Sequence, residues 1–297
     1  MKTRLFLFFS VLFISLISSA QLNELKSRVE TIINDKNATV GFTVIANNLQ
    51  DTLSVNGTNR SPMQSVYKFP IALAVLAEID KGKFKLNQKI KITKKELLPD
   101  TWSPIREDFP NGGELTIAEI IKYTVAGSDN NGCDILLRLI GGPRTVEAFL
   151  IKNDCRNISI KFNEETMHKD WNAQYHNGAT SNSLTQLLIK AYRNDISLSK
   201  ENHAFIWKAM EETTTGQKRL KAQLPENTYV GHKTGTSGTN DKGLSAATND
   251  IGAIKLPNDE VIFISVLVSE SKEDSETNEK IIADLSKAVW DYYTTQN

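Results

Sequence analysis

The sequence predicts an α/β architecture of the α+β kind, in which one antiparallel sheet flanked by helices is interrupted by an inserted all-helical lobe. Three observations predict it. Runs with period-two, β-branched character occur only near the two ends of the chain, the stretch between them is dominated by helical spacing, and an amphipathic helix stands outside the strands at each end.

Taken in order, "LNELKSRVETIIND" places apolar residues at helical spacing, and "ATVGFTVIANN" then switches to strand character. From Ser65 onward the chain reads as helices over 66–80, 116–125, 130–140, 143–152, 183–192 and 200–211. Connections rich in Pro, Gly and Asn, such as "LLPDTWSPIREDFPNGG" and "NAQYHNGATSNS", separate them. Beyond residue 226 the strand pattern returns in "TYVGHKTGTS", "NDIGAIKLP" and "EVIFISVLVSE", with "LPNDE" as a hairpin loop. An amphipathic helix capped near Ser275 closes the chain.

The 297 residues begin with Lys2 and Arg4, then an uncharged apolar run, then the small residues Ser18, Ser19 and Ala20. This is the pattern of an export leader cleaved after Ala20, and it predicts a periplasmic protein. The run is short for a membrane span of ~20 residues and lacks a basic stop, and no later stretch is apolar enough to cross a membrane. Without residues 1–20 the chain carries 33 basic and 35 acidic residues, a formal net charge of −2. That balance gives no reason to expect nucleic acid or an anionic membrane surface as partner. The remaining residues, 21–297, are enough for one catalytic domain, with a sheet lobe of 21–60 and 212–297 around a helical lobe of 61–211. Cys133 and Cys155 are open to two readings, an exported disulfide or two small buried side chains. The four histidines, His168, His176, His203 and His232, lack metal-ligand spacing, so neither a metal nor a cofactor is expected.

Chemistry is concentrated in three short motifs. In "SVYKFP", Ser65 and Lys68 stand one helical turn apart at the mouth of a long apolar helix. An amine whose charge is disfavoured by burial can accept the serine proton and generate an attacking alkoxide. Pro70, which lacks an N–H, predicts an irregular first turn there. The same S-x-x-K spacing at Ser197 and Ser269 lies in polar stretches that could not bury the lysine. "SDN" at Ser128–Asn130 falls between two helical runs, and "KTG" at Lys233–Gly235 falls inside an apolar strand. Taken singly, Ser128 also suits a helix N-cap and Lys233 an ordinary edge-strand charge.

The order S-x-x-K, S-D-N, K-T-G resembles that of class A serine β-lactamases and penicillin-binding proteins. Over essentially the whole chain beyond residue 20 the sequence is similar to class A β-lactamases, and "SDNNGCDILL", "NEETMHKDWNAQYHN", "TTTGQKRLKAQLP" and "GHKTGTSG" resemble the PER/VEB-like extended-spectrum branch. The resemblance implies the serine β-lactamase/penicillin-binding-protein-like fold, with the active site between sheet and helical lobe, and a monomer acting on small-molecule β-lactams. By the same resemblance Ser65 is the nucleophile, and the N–H groups of Ser65 and Thr236 are the oxyanion hole. Lys68 and Ser128 move protons, and Asn130 holds substrate and Lys68. Lys233, Thr234, Gly235 and the hydroxyl of Thr236 or Ser237 meet the substrate carboxylate, with Arg219 behind the strand. Glu164, 36 residues after Ser128, is the deacylating base, with Glu165 the alternative. Whether Lys68 or Glu164 takes the first proton is left open by the family itself.

Departures from the common family pattern cluster near Glu164. His168 stands where asparagine is usual, Phe162 and Asn177 replace a loop-pinning arginine and aspartate, and Asp134 replaces an asparagine. They imply a wider cavity suited to oxyimino-cephalosporins. Trp102 is read either as a wall at the cavity entrance or as a core side chain. Two further readings share Ser65, Lys68, Ser128 and Lys233: a D-Ala-D-Ala carboxypeptidase or transpeptidase, and a noncatalytic β-lactam sensor that stays acylated. The presence of Glu164 argues against the peptidase. An exported chain with no membrane segment argues against the sensor.

Overall fold

A computed structural model describes residues 22–46 and 48–295, so the leader and its cleavage point lie outside the described residues. Helix α1 (22–34) leads into β1 (Thr39–Ala46), β2 (Asp51–Val55) and the short β3 (Arg60–Pro62). The middle of the chain comprises α2 (Lys68–Asp80), β4 (Lys89–Thr93), α3 (Pro104–Asp108), β5 (Gly112–Thr116), α4 (Ile117–Val125), α5 (Asn130–Ile140), α6 (Pro143–Lys152), α7 (Glu164–Lys169), β6 (Gly178–Thr180), α8 (Ser181–Tyr192) and α9 (Lys200–Glu211). It ends with β7 (Val230–Thr236), β8 (Ser245–Lys255), β9 (Val261–Ser271) and α10 (Ser275–Thr295).

The main sheet has the order β2-β1-β9-β8-β7, with every pairing antiparallel. Central strand β9 shows how the sequence specifies two buried faces. Ile262, Ile264, Val266 and Val268 join a core with Leu25 and Val29 of α1 and Ile282, Leu285 and Val289 of α10. Phe263 and Leu267 point the other way, into a core shared with α2, α8 and α9. With both faces covered the strand reads as a continuous apolar run rather than an alternation. The two chain ends therefore form one sheet, as their patterning predicts.

Helix α2 is the hub of the second core. Every residue from Lys68 to Leu76 is buried, so it is apolar nearly all round except for the lysine at its mouth. The expected helix over 66–80 is in fact a 3₁₀ turn, Gln64–Tyr67, running into α2. Pro70 falls in the first turn of α2, where the backbone N–H has no intrahelical partner to lose. Helix α4 begins one residue later than expected because Thr116 is its N-cap, in a reciprocal box with Glu119. Helix α8 begins two residues earlier than expected, capped by Thr180 with Ser183. The two-stranded pairs β3–β6 and β4–β5 do not announce themselves in the sequence, being strands of three to five residues. Among the described residues no helix is long and apolar enough to cross a membrane. Cys133 and Cys155 are separate buried thiols, which decides against the disulfide reading.

Candidate active site

Ser65 sits on the 3₁₀ turn between β3 and α2, and backbone packing on both sides fixes that turn. Asn249 of β8 donates its side-chain amide to Pro62 O at 2.9 Å and Met63 O at 3.2 Å. Met63 N–H donates to Asn177 O at 2.8 Å. Edge strand β7 presses against the same turn at Gly235, where a Cβ would lie 2.3 Å from Met63 O and 3.1 Å from Val66 N. Ser237 N–H is paired with Ala247 O of β8 at 2.8 Å. Backbone groups alternate sides along an antiparallel strand, so the neighbouring Thr236 N–H points to the free side of β7, towards the Ser65 turn.

The Lys68 side chain is fully buried at the centre of the site. Its Nζ lies 2.9 Å from Ser65 Oγ, 2.8 Å from Ser128 O and 2.9 Å from Glu164 Oε1, and it also donates to Asn130 Oδ1. The contact with Glu164 is an ion contact without hydrogen-bond alignment, since Oε1 has no aligned donor. Glu164 is the first residue of α7, which Asn163 caps by accepting from Thr166 N–H. Glu165 turns outward to Lys169 at 2.5 Å, so of the two adjacent acids Glu164 is the one that faces Lys68.

The S-D-N segment works as a unit. Ser128 adopts a left-handed φ of 57°, which sends its carbonyl to Lys68 while its hydroxyl accepts from Lys233 Nζ at 3.0 Å. Buried Asp129 caps α5 through Gly132 N–H at 2.7 Å, and it ties down the 98–113 connection through Ser103 Oγ at 3.0 Å and Ile105 N–H at 2.6 Å. Asn130 donates to Thr101 Oγ1 at 2.6 Å.

Lys233 is fully buried on β7, not an ordinary edge-strand charge. Burial first, and then the nearby Lys68 charge, hold its ammonium well below the usual lysine range. Arg219 lies behind the strand and bridges β7 and β8. It donates to Gly235 O at 3.2 Å, Asn249 O at 2.9 Å and Thr236 Oγ1 at 2.7 Å, and it pairs with Glu279 at 3.2 Å. Thr234 Oγ1 meets Thr215 Oγ1 at 2.6 Å. Ser237 is the exception, because its hydroxyl donates to Gly238 O and accepts from Ala247 N–H; Thr236 is the hydroxyl that lines the Ser65 cavity.

Two adjoining recesses share Asn130 and Thr236. One, of about 260 Å³, is lined by Ser65, Trp102, Ser128, Thr215, Arg219 and Thr234 among others. The other, of about 270 Å³, contains Gln64, Glu164, Met167, His168, Trp171, Gln174 and Ser237. Trp102 is 56% exposed and donates Nε1–H to Gly127 O, so it is a wall of the first recess and not a core side chain. Exposed His168 lines the second recess beside Glu164. A larger cleft of about 450 Å³ near Arg60 and Lys190 contains none of these groups.

The loop that carries Glu164 is closed by one amide. Asn177 Oδ1 accepts from Lys161 N–H at 2.7 Å and Phe162 N–H at 3.0 Å, and its Nδ2 donates to Phe162 O at 2.8 Å. Asp134 holds the other side, accepting from Glu164 N–H at 2.7 Å and from Glu165 N–H and Asn163 Nδ2 at 3.0 Å. Burial outweighs those donors and raises the Asp134 carboxyl to about 7. The folded state therefore holds a proton that the unfolded chain releases above the ordinary carboxyl range of ~4, and this stabilisation is lost as pH rises towards 7. Relative to wild type, Asp134→Asn is expected to lose several degrees more in Tm at pH 4 than at pH 8, measured by thermal scans across that range.

Sequence reasoning left Thr101, Thr215, Gly216, Gln64, Trp171 and Gln174 unassigned, although all line the two recesses. The run "TTTGQKR" ends in Arg219, and that proximity was the available signal for Thr215 and Gly216.

A family model described as "Beta-lactamase enzyme family" matches residues 24–293. Beta-lactamase VEB-1 of Pseudomonas aeruginosa is 56% identical over 293 residues, 98% of each chain. Extended-spectrum beta-lactamase PER-1 of the same organism is 38% identical, over 95% of this chain and 91% of its own. The crystal structure of TLA-3 extended-spectrum beta-lactamase superposes with a TM-score of 0.89 at 51% identity, covering 91% of this chain and 98% of that one. With the family model spanning nearly the whole chain and the fold shared with solved class A enzymes, the protein belongs to the β-lactamase enzyme family.

Proposed function

We propose that this enzyme hydrolyses the amide bond of β-lactam antibiotics through an acyl-enzyme on Ser65, and so confers resistance. The observation that carries the reading is Lys68 Nζ, 2.9 Å from both Ser65 Oγ and Glu164 Oε1. Ser65 Oγ attacks the ring carbonyl carbon as its proton passes to the Lys68–Glu164 pair. The tetrahedral oxyanion is held by the N–H groups of Ser65 and Thr236, an arrangement in which losing one donor costs ~10²- to 10³-fold in rate. The C–N bond then breaks, the nitrogen takes the hydroxyl proton of Ser128, and Lys68, already bonded to the Ser128 backbone at 2.8 Å, turns to hand the proton that left Ser65 to the Ser128 hydroxyl oxygen, while Lys233 stays charged. In the second half Glu164 removes a proton from water, the resulting hydroxide attacks the acyl carbon, and Ser65 Oγ leaves and is reprotonated.

Lys233, Thr234 and Thr236 receive the substrate carboxylate, with Gly235 letting the strand approach and Arg219 orienting Thr236. Asn130 engages the side-chain amide. The second recess, bordered by His168, Trp171, Ser237 and Gly238, accommodates bulky oxyimino groups, in keeping with the extended-spectrum relatives. The same reading takes residues 1–20 as a leader cleaved after Ala20 and 21–297 as a single catalytic domain of two lobes. It acts as a periplasmic monomer with no cofactor. A peptidase or a sensor would share Ser65 and Lys68 but has no use for an acid at Glu164.

Many-fold molar excess of a chromogenic cephalosporin added to the purified protein is expected to be consumed at a sustained rate, and Ser65→Ala is expected to form no adduct by intact mass. One equivalent of colour followed by silence would support the peptidase or the sensor instead.

A further inference from the structure

Three threonines follow α9 in a row, and each hydroxyl is committed to a neighbouring element. Thr213 Oγ1 donates to His232 O of β7 at 2.7 Å. Thr214 sends both its N–H and its hydroxyl to Ala126 O, at 3.0 and 3.2 Å, two residues before Ser128. Thr215 Oγ1 lies 2.6 Å from Thr234 Oγ1. The segment thus straps the S-D-N side of the cleft to β7. Gly216 completes it, with a left-handed φ of 71° and no room for a side chain, since a Cβ there would lie 2.4 Å from Thr234 Cγ2.

Thr234 and Thr236 stand two positions apart on β7, so their side chains share one face of the strand, and both line the Ser65 recess. Each hydroxyl has one proton to give. For Thr236 the direction is fixed, because a guanidinium only donates: with Arg219 Nη2 at 2.7 Å, the Thr236 oxygen accepts and its own proton is free to face the recess. Thr215 stands to Thr234 as Arg219 stands to Thr236. Among the described residues neither Thr215 Oγ1 nor Thr234 Oγ1 has a second hydrogen-bond partner, so one of their two protons lies in the contact and the other is free. A carboxylate only accepts. If Thr234 donates to it, the 2.6 Å contact survives only with Thr215 as the donor.

Building on the reading of β7 as the carboxylate partner, we propose that Thr215 is a positioning residue for the substrate carboxylate. Its hydroxyl donates to Thr234 Oγ1 and so turns the Thr234 proton towards the anion, while Thr213, Thr214 and Gly216 hold the Thr215 oxygen in place. The pocket then presents two threonine protons, each set by a donor from the 213–219 segment: Thr215 for Thr234 and Arg219 for Thr236. Donors set in advance bind the anion without the entropy cost of orienting free hydroxyls.

The test compares a chromogenic cephalosporin that carries its carboxylate with the methyl ester of the same compound, in wild type, Thr215→Val, Thr215→Ser, Thr234→Val and the Thr215→Val/Thr234→Val double variant. Thr215→Val keeps the shape and removes the hydroxyl. On the acid it is expected to raise KM about 3- to 10-fold, with kcat changed less than about twofold, and on the ester to change kcat/KM less than about twofold. Thr215→Ser, which keeps the hydroxyl, is expected to return KM for the acid to the wild-type value. Because Thr215 acts through Thr234, the double variant should be no worse on the acid than Thr234→Val alone. If Thr215→Val fails to fold, Thr215→Ala removes the same hydroxyl and serves in its place. An equal loss on acid and ester, an unchanged KM for the acid, a serine variant as poor as the valine one, or losses that add in the double variant would overturn the proposal. If Thr234→Val does not distinguish acid from ester, the reading of β7 as carboxylate partner fails instead. If it does and Thr215→Val does not, only the role of Thr215 fails.

Discussion

Glu164→Ala is expected to convert the enzyme into one that acylates and then stalls. Steady-state hydrolysis should fall by about 10³-fold, within the 10²- to 10⁴-fold range of a positioned general base. Intact mass should then show one covalent adduct per chain. The effect is large because Glu164 is, among the described residues, the one carboxylate in contact with Lys68, while its neighbour Glu165 is committed to Lys169 at the surface. Glu165→Ala should therefore turn over normally. If Glu165→Ala stalls and Glu164→Ala does not, the assignment is wrong by one residue. The rate at which the adduct forms in Glu164→Ala carries further information. If it forms quickly, Lys68 suffices to take the Ser65 proton; if slowly, the acid serves both halves of the reaction.

Gly235→Ala is the second large effect. The added methyl would meet backbone atoms, Met63 O at 2.3 Å and Val66 N at 3.1 Å, which cannot rotate away as a side chain can. Either β7 or the Ser65 turn must shift. A displacement near 1 Å at the reacting groups can cost ~10²-fold in rate, and overpacking of this kind costs about 1–3 kcal/mol in stability. The expected result is a loss of kcat/KM of that order with a measurable fall in Tm. Gly238→Ala, where nothing lies within 4 Å of the added carbon, should leave Tm unchanged. A wild-type rate in Gly235→Ala would mean that the turn and the strand are not held in register.

The comparison between sequence and structure separates by the range of the forces involved. Strands β1, β7, β8 and β9 were legible because residues such as Ile262–Val268 are apolar on both faces, and the helical middle was legible from its spacing. The motifs that carry Ser65, Lys68, Ser128 and Lys233 were legible, and folding links these residues through contacts of 3.0 Å or less. What supports them was not. Asn177 closing the Glu164 loop and Asn249 holding the Ser65 turn act across contacts of 15 or more positions, and no local pattern marks an amide for such duty. Helix α7 is only six residues long, and what marks its start is one side-chain cap on Thr166, too little to stand out in a polar loop.

The outer margin of the sheet at β7 carries one more consequence. An unpaired strand border ordinarily invites a neighbouring molecule to add its own strand, the first step towards aggregation. Here the helical turn bearing Ser65 packs against that border at Gly235 and shields it. Catalytic geometry and colloidal solubility thus share one contact, so changes that loosen it should produce molecules that are both slower and stickier.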